Sequence, residues 1–213
     1  NYIMRCKGPL SLGVNQLGGL VRATPDAPRL DTQLYINPIT YSVTDGDTRR
    51  LTKPDRAPGF ALSFNSCRPY SAGSVYIKSA DAATPPAIHG NYLDDQRDID
   101  DVLRMARFIG RMQNSPSVQK LLAAPPETNL LALSDNEIID DFRTRSGTVF
   151  HPCGTCRMGP DRRHSVVDPQ LRVHGVGKLR VADAAIFPNI TSANTNAPTL
   201  AVAHKAASLI LQR

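Results

Sequence analysis

The chain reads as an α+β protein, an antiparallel sheet with helices over residues 24–147, followed by the last strand and helix of a different, α/β layer. Three observations predict this. Short β-rich runs separated by turn signals come first, and a long amphipathic helix pattern takes over at about residue 94. The tail then offers one apolar strand, an amide-rich loop and one apolar helix. A single strand and helix cannot bury their own faces, so this tail needs neighbouring strands from elsewhere.

Taken in order, residues 1–23 carry Gly8-Pro9, Gly13 and Gly18-Gly19 between short apolar runs, which suggests extended segments separated by turns. Leu34–Ile36 and Ile39–Val43 are β-rich, and Asp45-Gly46 after the second marks a turn. Phe60–Phe64 and Gly73–Lys78 have the composition and alternation of strands. From Asp94 to Gln113, Ile99, Val102, Leu103, Ala106, Ile109 and Met112 recur at helical spacing, with acids early and arginines late as the helix dipole favours. A shorter helix is expected from Pro116 to Leu122. Ser134-Asp135-Asn136-Glu137 has the form of a capping box, starting a helix that runs to about Arg145 before Gly147. Lys178–Val181 reads as a buried strand and Thr199–Ile210 as a closing helix. The chain contains no internal repeat.

Composition narrows the function classes. The 213 residues are 41% hydrophobic and 21% charged, with a formal net charge of +6. The basic residues are scattered singly or in pairs such as Arg49-Arg50 and Arg162-Arg163, without a basic helix face or interleaved aromatics, so nucleic acid is not the expected partner. No apolar run has the length of a membrane span. The start, Asn1–Lys7, has no initiator Met and no signal-peptide core, and is expected to lie within a longer protein. The four cysteines, Cys6, Cys67, Cys153 and Cys156, form no disulfide framework, which accords with a soluble, cytoplasmic protein. Cys153 and Cys156 are spaced Cys-x-x-Cys, but no second ligand pair completes a zinc site, and Gly154, Gly159 and Pro160 argue for a loop rather than a redox helix. Incidental spacing is the better reading, and no metal is expected.

The chemistry-bearing stretch runs from Phe150 to Pro198. His151-Pro152-x-Gly154-Thr155-x-x-Met158-Gly159 is followed by Val167-Asp168-Pro169-x-Leu171-Arg172-Val173-x-Gly175-Val176, then Leu179-Arg180-Val181-x-Asp183-Ala184, then Thr191-Ser192-x-Asn194-Thr195-x-Ala197-Pro198-Thr199. These motifs, in this order, resemble the C-terminal signature of the glucose–methanol–choline (GMC) oxidoreductases, which are FAD-dependent alcohol oxidases and dehydrogenases. Gly8-Pro9-Leu10, Arg68-Pro69-x-Ser71-x-Gly73-x-Val75 and Asn91-Tyr92-Leu93 extend the resemblance upstream, with Ala72 departing from the Arg usual there. The family's G-x-G-x-x-G fingerprint, which holds the FAD pyrophosphate, is missing from the chain. The resemblance therefore implies the C-terminal portion of such an enzyme, partnered by an N-terminal chain or fragment that carries the dinucleotide-binding motif. It implies a connection over 1–23, a substrate-binding domain over 24–147, and the C-terminal part of a Rossmann-like FAD-binding domain over 148–213.

Roles follow from the same resemblance. His151 becomes the base that removes the hydroxyl proton of a primary alcohol, a task suited to an imidazole with a pKa near ~6.5. Taken without the resemblance, a core histidine ahead of a turn is the better reading. Asn194 takes the second catalytic position, its amide donating to the alkoxide, and an N-cap is its structural alternative. Asp183, Ala184, Asn194, Thr195 and Asn196 are expected at the FAD, with simple capping the alternative for Thr195. Phe60, Phe64 and Asn65 are candidate substrate contacts, though core packing is the commoner fate of such phenylalanines. His89, His164, His174 and His204 are expected in surface or packing roles. The rival functions are a hydroxynitrile lyase of the same fold and a non-catalytic, flavin-free homologue.

Overall fold

A computed structural model of the chain describes residues 2–5, 7, 17–40, 55, 57–192 and 194–211. The chain divides into two compact units, Asn1–Ser66 with Ile99–Ser146, and Cys67–Asp98 with Gly147–Arg213.

The first unit is built on a three-stranded antiparallel sheet. Its strands β1 (Leu17–Val21), β2 (Thr32–Asn37) and β3 (Ala61–Ser66) lie in sequence order, with Leu34 opposite both Gly19 and Phe64. Central β2 buries Thr32 and Leu34, two residues apart and so on one face. Gly18 and Gly19, expected between strands, lie inside β1. A Cβ at Gly18 would stand 2.7 Å from the Leu34 carbonyl oxygen, so the close pairing with β2 requires a glycine there. The short helix α1 (Tyr2–Arg5) was not signalled by the sequence. Much of the expected strand Ile39–Val43, the turn at Asp45-Gly46 and the motif Gly8-Pro9-Leu10 lie outside the described residues.

Two main helices complete this unit. The helix α2 (Gln96–Gln113) buries Val102, Met105, Ala106 and Ile109 at spacings of three and four, the stripe its sequence predicts with Met105 added. After it comes α3 (Pro116–Gln119), capped by the Ser115 hydroxyl. It is shorter than expected because the chain tightens into i→i−3 bonds, Leu121 N to Val118 O and Leu122 N to Gln119 O. The capping box forms as the sequence indicates: Ser134 N donates to Glu137 Oε2 at 2.8 Å, and Glu137 N to Ser134 Oγ at 3.4 Å. It starts α4 (Asp135–Arg145), which buries Ile138 and Ile139 and sets Phe142 on Phe64, ring centroids 5.9 Å apart. Arg107 ties the two helices, donating to Leu130 O at 2.9 Å and to Asp135 at 2.8 Å.

The second unit has little regular structure. Its ribbon of β4 (Ser74–Tyr76) and β5 (Ala87–His89) is antiparallel. The segment ahead of it is clamped by the buried Asp98 carboxylate, in the first turn of α2, which accepts from Tyr70 N at 2.8 Å and Ser71 N at 2.7 Å. The long closing helix α5 (Asn196–Leu211) begins three residues earlier than expected, since Pro198 is tolerated in a first helical turn. Between ribbon and helix the chain is held by single bridges, Met158 with Val167, Val167 with Val173, and Arg172 with Arg180. The buried strand expected over Lys178–Val181 is reduced to the last of these, and Leu179 is 49% exposed. With no ladder on either side among the described residues, the segment has no sheet to join. Val181 still packs on a core of Val167, Leu171, Ile186, Phe187 and Ala206.

Candidate functional site

The site is assembled on that core. A 3-10 helix, Ala184–Ile186, and the loop 151–159 are bonded side by side, Cys156 N to Ala185 O at 2.9 Å and Met158 N to Ile186 O at 2.8 Å. Gly154 allows the loop to turn, with φ +88° and the Phe187 carbonyl oxygen 3.3 Å from where a Cβ would stand. These bonds fix the second half of the loop, and His151 lies half-buried at its start. Its immediate neighbour Phe150 has φ +58°, an unfavourable left-handed conformation for a bulky residue. On the other side, Ser192 has φ +60° two residues before Asn194, and its hydroxyl accepts from Arg68 at 3.0 Å. Strain of this kind concentrates where a fold must hold functional side chains.

These loops bring three of the expected residues together. His151 Nε2 stands 2.6 Å from Asn194 Nδ2, and His151 Nδ1 stands 3.0 Å from Thr195 Oγ1. Asn194 is exposed, whereas Thr195 is buried just ahead of α5 and its carbonyl accepts from Thr199 N at 3.0 Å. The imidazole is thus held at both nitrogens by neighbours from one loop. Such a set can present a ring nitrogen and an amide N–H to one small polar ligand.

The other expected residues fall elsewhere. Asp183 does not end a buried strand; it is exposed, and its carboxylate caps the 3-10 helix by accepting from Ala185 N at 2.7 Å. Ala184 is the first residue of that helix, and Asn196 the exposed first residue of α5. Phe60, Phe64 and Asn65 belong to the first unit. There Phe64 stacks on Phe142, a packing role, and Asn65 Nδ2 donates to Ser66 O at 3.0 Å while its Oδ1 is buried without a partner among the described residues.

Cys153 and Cys156 are both free thiols. Burial pushes the Cys153 thiol up, against the weaker pull of Arg157, and a thiol raised in this way is a poor nucleophile. His174, also in the second unit, has its Nε2 bonded to Gly159 O at 3.1 Å. Nothing in the sequence marks Phe150 or Ser192 as strained positions, or Arg68 as the partner of Ser192. Only the run Arg68-Pro69-x-Ser71-x-Gly73 set Arg68 apart at all. No helix among the described residues is long and apolar enough to cross a membrane.

Comparison with known proteins gives this geometry a context. A family profile described as GMC oxidoreductase matches residues 69–203. An alcohol dehydrogenase [acceptor] from Pseudomonas putida is 37% identical over 215 residues, covering 100% of this chain and 37% of that protein. An oxygen-dependent choline dehydrogenase from Klebsiella pneumoniae is 32% identical over 198 residues, covering 93% of this chain and 34% of its own length. Among solved structures, a variant of formate oxidase from Aspergillus oryzae, described in terms of FAD modification, is similar with a TM-score of 0.79 and 26% identity, over 98% of this chain and 40% of that one. The chain therefore spans well under half the length of each of these relatives.

Proposed function

The chain belongs to the GMC oxidoreductases, a family of FAD-dependent flavoproteins, and we propose that it supplies the base-carrying C-terminal part of an enzyme that oxidises a primary alcohol to an aldehyde. The observation that carries this reading is the pairing of His151 Nε2 with the Asn194 amide, at 2.6 Å. An incoming alcohol oxygen would meet a ring nitrogen able to take its proton and an amide N–H able to hold the alkoxide that results. Asn194 cannot itself act as a base, so His151 carries the proton alone. The names of the relatives, an alcohol and a choline dehydrogenase, favour oxidation over cyanohydrin cleavage and over a flavin-free homologue.

The residues present fit a flavin. The first turn of α5 has no acidic side chain, and the leading N–H groups of a helix lack partners within it and carry partial positive charge. A little upstream of this turn in the chain, the buried Thr191 hydroxyl has no partner among the described residues. Asn194, Thr195 and Asn196 at that helix start, with Asp183 and Ala184 at the 3-10 helix, are the groups proposed to hold FAD. When bound there, FAD supplies the acceptor for the hydride leaving the alcohol carbon. For Phe60, Phe64 and Asn65, contact with the substrate is proposed on their sequence pattern only.

The remaining parts are proposed on motif order and on the share of the relatives that the chain spans. An N-terminal chain or segment would carry the dinucleotide-binding motif. Residues 1–23 would be a connection, 24–147 the substrate-binding domain, and 148–213 the C-terminal part of a Rossmann-like FAD domain.

In the FAD-loaded enzyme, His151→Ala is expected to keep its flavin. Anaerobic flavin reduction by a primary alcohol should slow on the order of 10²–10⁴-fold. Reduction at the wild-type rate would sink the assignment, and a flavin that no alcohol bleaches would favour the lyase.

A further inference from the structure

We propose that Thr195, through its side-chain hydroxyl, is the positioning residue that selects the tautomer of His151, an inference that rests on the base assignment above. Asn194 presents Nδ2 to His151 Nε2 at 2.6 Å, and an amide nitrogen brings only hydrogens to such a contact. Nε2 must therefore offer its lone pair. A neutral imidazole carries a single N–H, which then sits on Nδ1. The group that receives it is Thr195 Oγ1, 3.0 Å away. This is the arrangement a base needs, with the unprotonated nitrogen on the Asn194 side, where the substrate hydroxyl is proposed to enter, and the protonated one held on Thr195.

Thr195 is built to hold that bond. It is only 7% exposed, so water cannot readily replace its hydroxyl as the acceptor. Its β-branched side chain has restricted freedom about χ1. Its carbonyl is fixed by both Thr199 N, at 3.0 Å, and Thr199 Oγ1, at 2.6 Å, so the residue is anchored to the first turn of α5. Without the hydroxyl, Nδ1–H loses its acceptor, and the exposed Asn194 amide, which can turn its Oδ1 as well as its Nδ2 to the ring, does not hold the tautomer alone, so the proton is free to move to Nε2. In that tautomer the nitrogen facing Asn194 can no longer accept a proton. The backbone of Thr195 remains available to the flavin, so the side chain and main chain of one residue serve different partners.

The test uses the FAD-loaded enzyme, labelled with ¹⁵N-histidine, as wild type, Thr195→Val, Thr195→Ser and His151→Ala. Long-range ¹H–¹⁵N correlation reads which ring nitrogen of His151 bears the proton, and stopped-flow mixing reads flavin reduction. The wild type should show Nδ1–H. Thr195→Val, nearly isosteric, should shift His151 toward Nε2–H and slow reduction by about tenfold or more, within the loss seen when the base is removed. Its KM for alcohol should stay unchanged, and rates are compared per bound FAD. Thr195→Ser should restore both tautomer and rate. A Thr195→Val enzyme that keeps Nδ1–H, or that reduces flavin at full rate beside a slow His151→Ala, overturns the inference alone, whereas a wild-type spectrum showing Nε2–H removes the proposed acceptor nitrogen and overturns both. A His151→Ala enzyme of undiminished rate overturns the base assignment and the inference with it.

Discussion

The two units of this chain hold their residues in place by different means. The first relies on repeating structure. Its sheet has a continuous register from Thr32↔Ser66 to Asn37↔Ala61, and α2 and α4 pack by periodic apolar stripes. In the second, single bridges, backbone bonds between loops and residues with positive φ do the same work. The proposed chemistry lies in the second unit. Regular elements repeat the same environment every turn or every second residue, whereas a base, its amide partner and its anchoring hydroxyl need three different environments within a few ångströms. Irregular backbone supplies them, at the cost of strained residues such as Phe150 and Ser192.

The sharpest way to break this contrast is to cut equal amounts from the two cores. Ile186 and Ile138 are each 1% exposed, so Ile186→Ala and Ile138→Ala should each cost about 2–5 kcal/mol of stability. Denaturant unfolding reads that loss. Only Ile186→Ala should also disturb flavin reduction, because the buried Ile186 side chain seats the 3-10 helix whose Ile186 carbonyl holds Met158 N at 2.8 Å, and with it the loop that starts at His151. If both variants reduced flavin equally well at a temperature where both are folded, the loop would not depend on this core in the way described.

The contrast also explains what could be read in the sequence. The stripe on α2 and the capping box of α4 were legible because each is a local rule, a spacing of three and four or a Ser-x-x-Glu pattern. The sheet was legible as β-rich runs, but the pairing of Gly18 with Tyr35, which brings Gly18 against the Leu34 carbonyl, was not, since register is a tertiary property. In the second unit, His151 and Asn194 stood out only through family motifs. No spacing rule joins two residues 43 positions apart. The same holds for Thr195, whose hydroxyl contact with His151 is invisible beside its evident place at a helix start. The strand expected over Lys178–Val181 failed because an apolar run states a propensity and not whether neighbours exist to pair with it.

A smaller effect sharpens the comparison from the first unit. Ser134→Ala removes the acceptor for Glu137 N and half of the capping box, and should lower stability by about 1 kcal/mol. Thermal unfolding measures it. The rate of flavin reduction should not change, since α4 belongs to the regular unit. A slowed enzyme would show that a local cap in the first unit reaches the chemistry after all.

The smallest expected effect lies in the second unit, at the turn before α2. Asp95 is held down to about 2, first by the side chain of Arg97, which forks onto its two oxygens at 2.9 and 2.6 Å, and next by the Arg97 backbone N–H at 3.0 Å. Because the folded carboxyl titrates below its ordinary 3.8, its contribution to stability is complete above that value and disappears as pH falls through about 2. Both groups face solvent, so the contribution is slight. Arg97→Ala removes the fork and leaves the backbone donor in place, and the Asp95 carboxyl should then titrate between the two values, as an NMR pH series would show. A carboxyl that stayed near 2 would assign the depression to the backbone N–H. The turn would then be held by its main chain, as the loops around His151 are, and the guanidinium stacked 3.8 Å over the Tyr70 ring would owe its position to that ring instead.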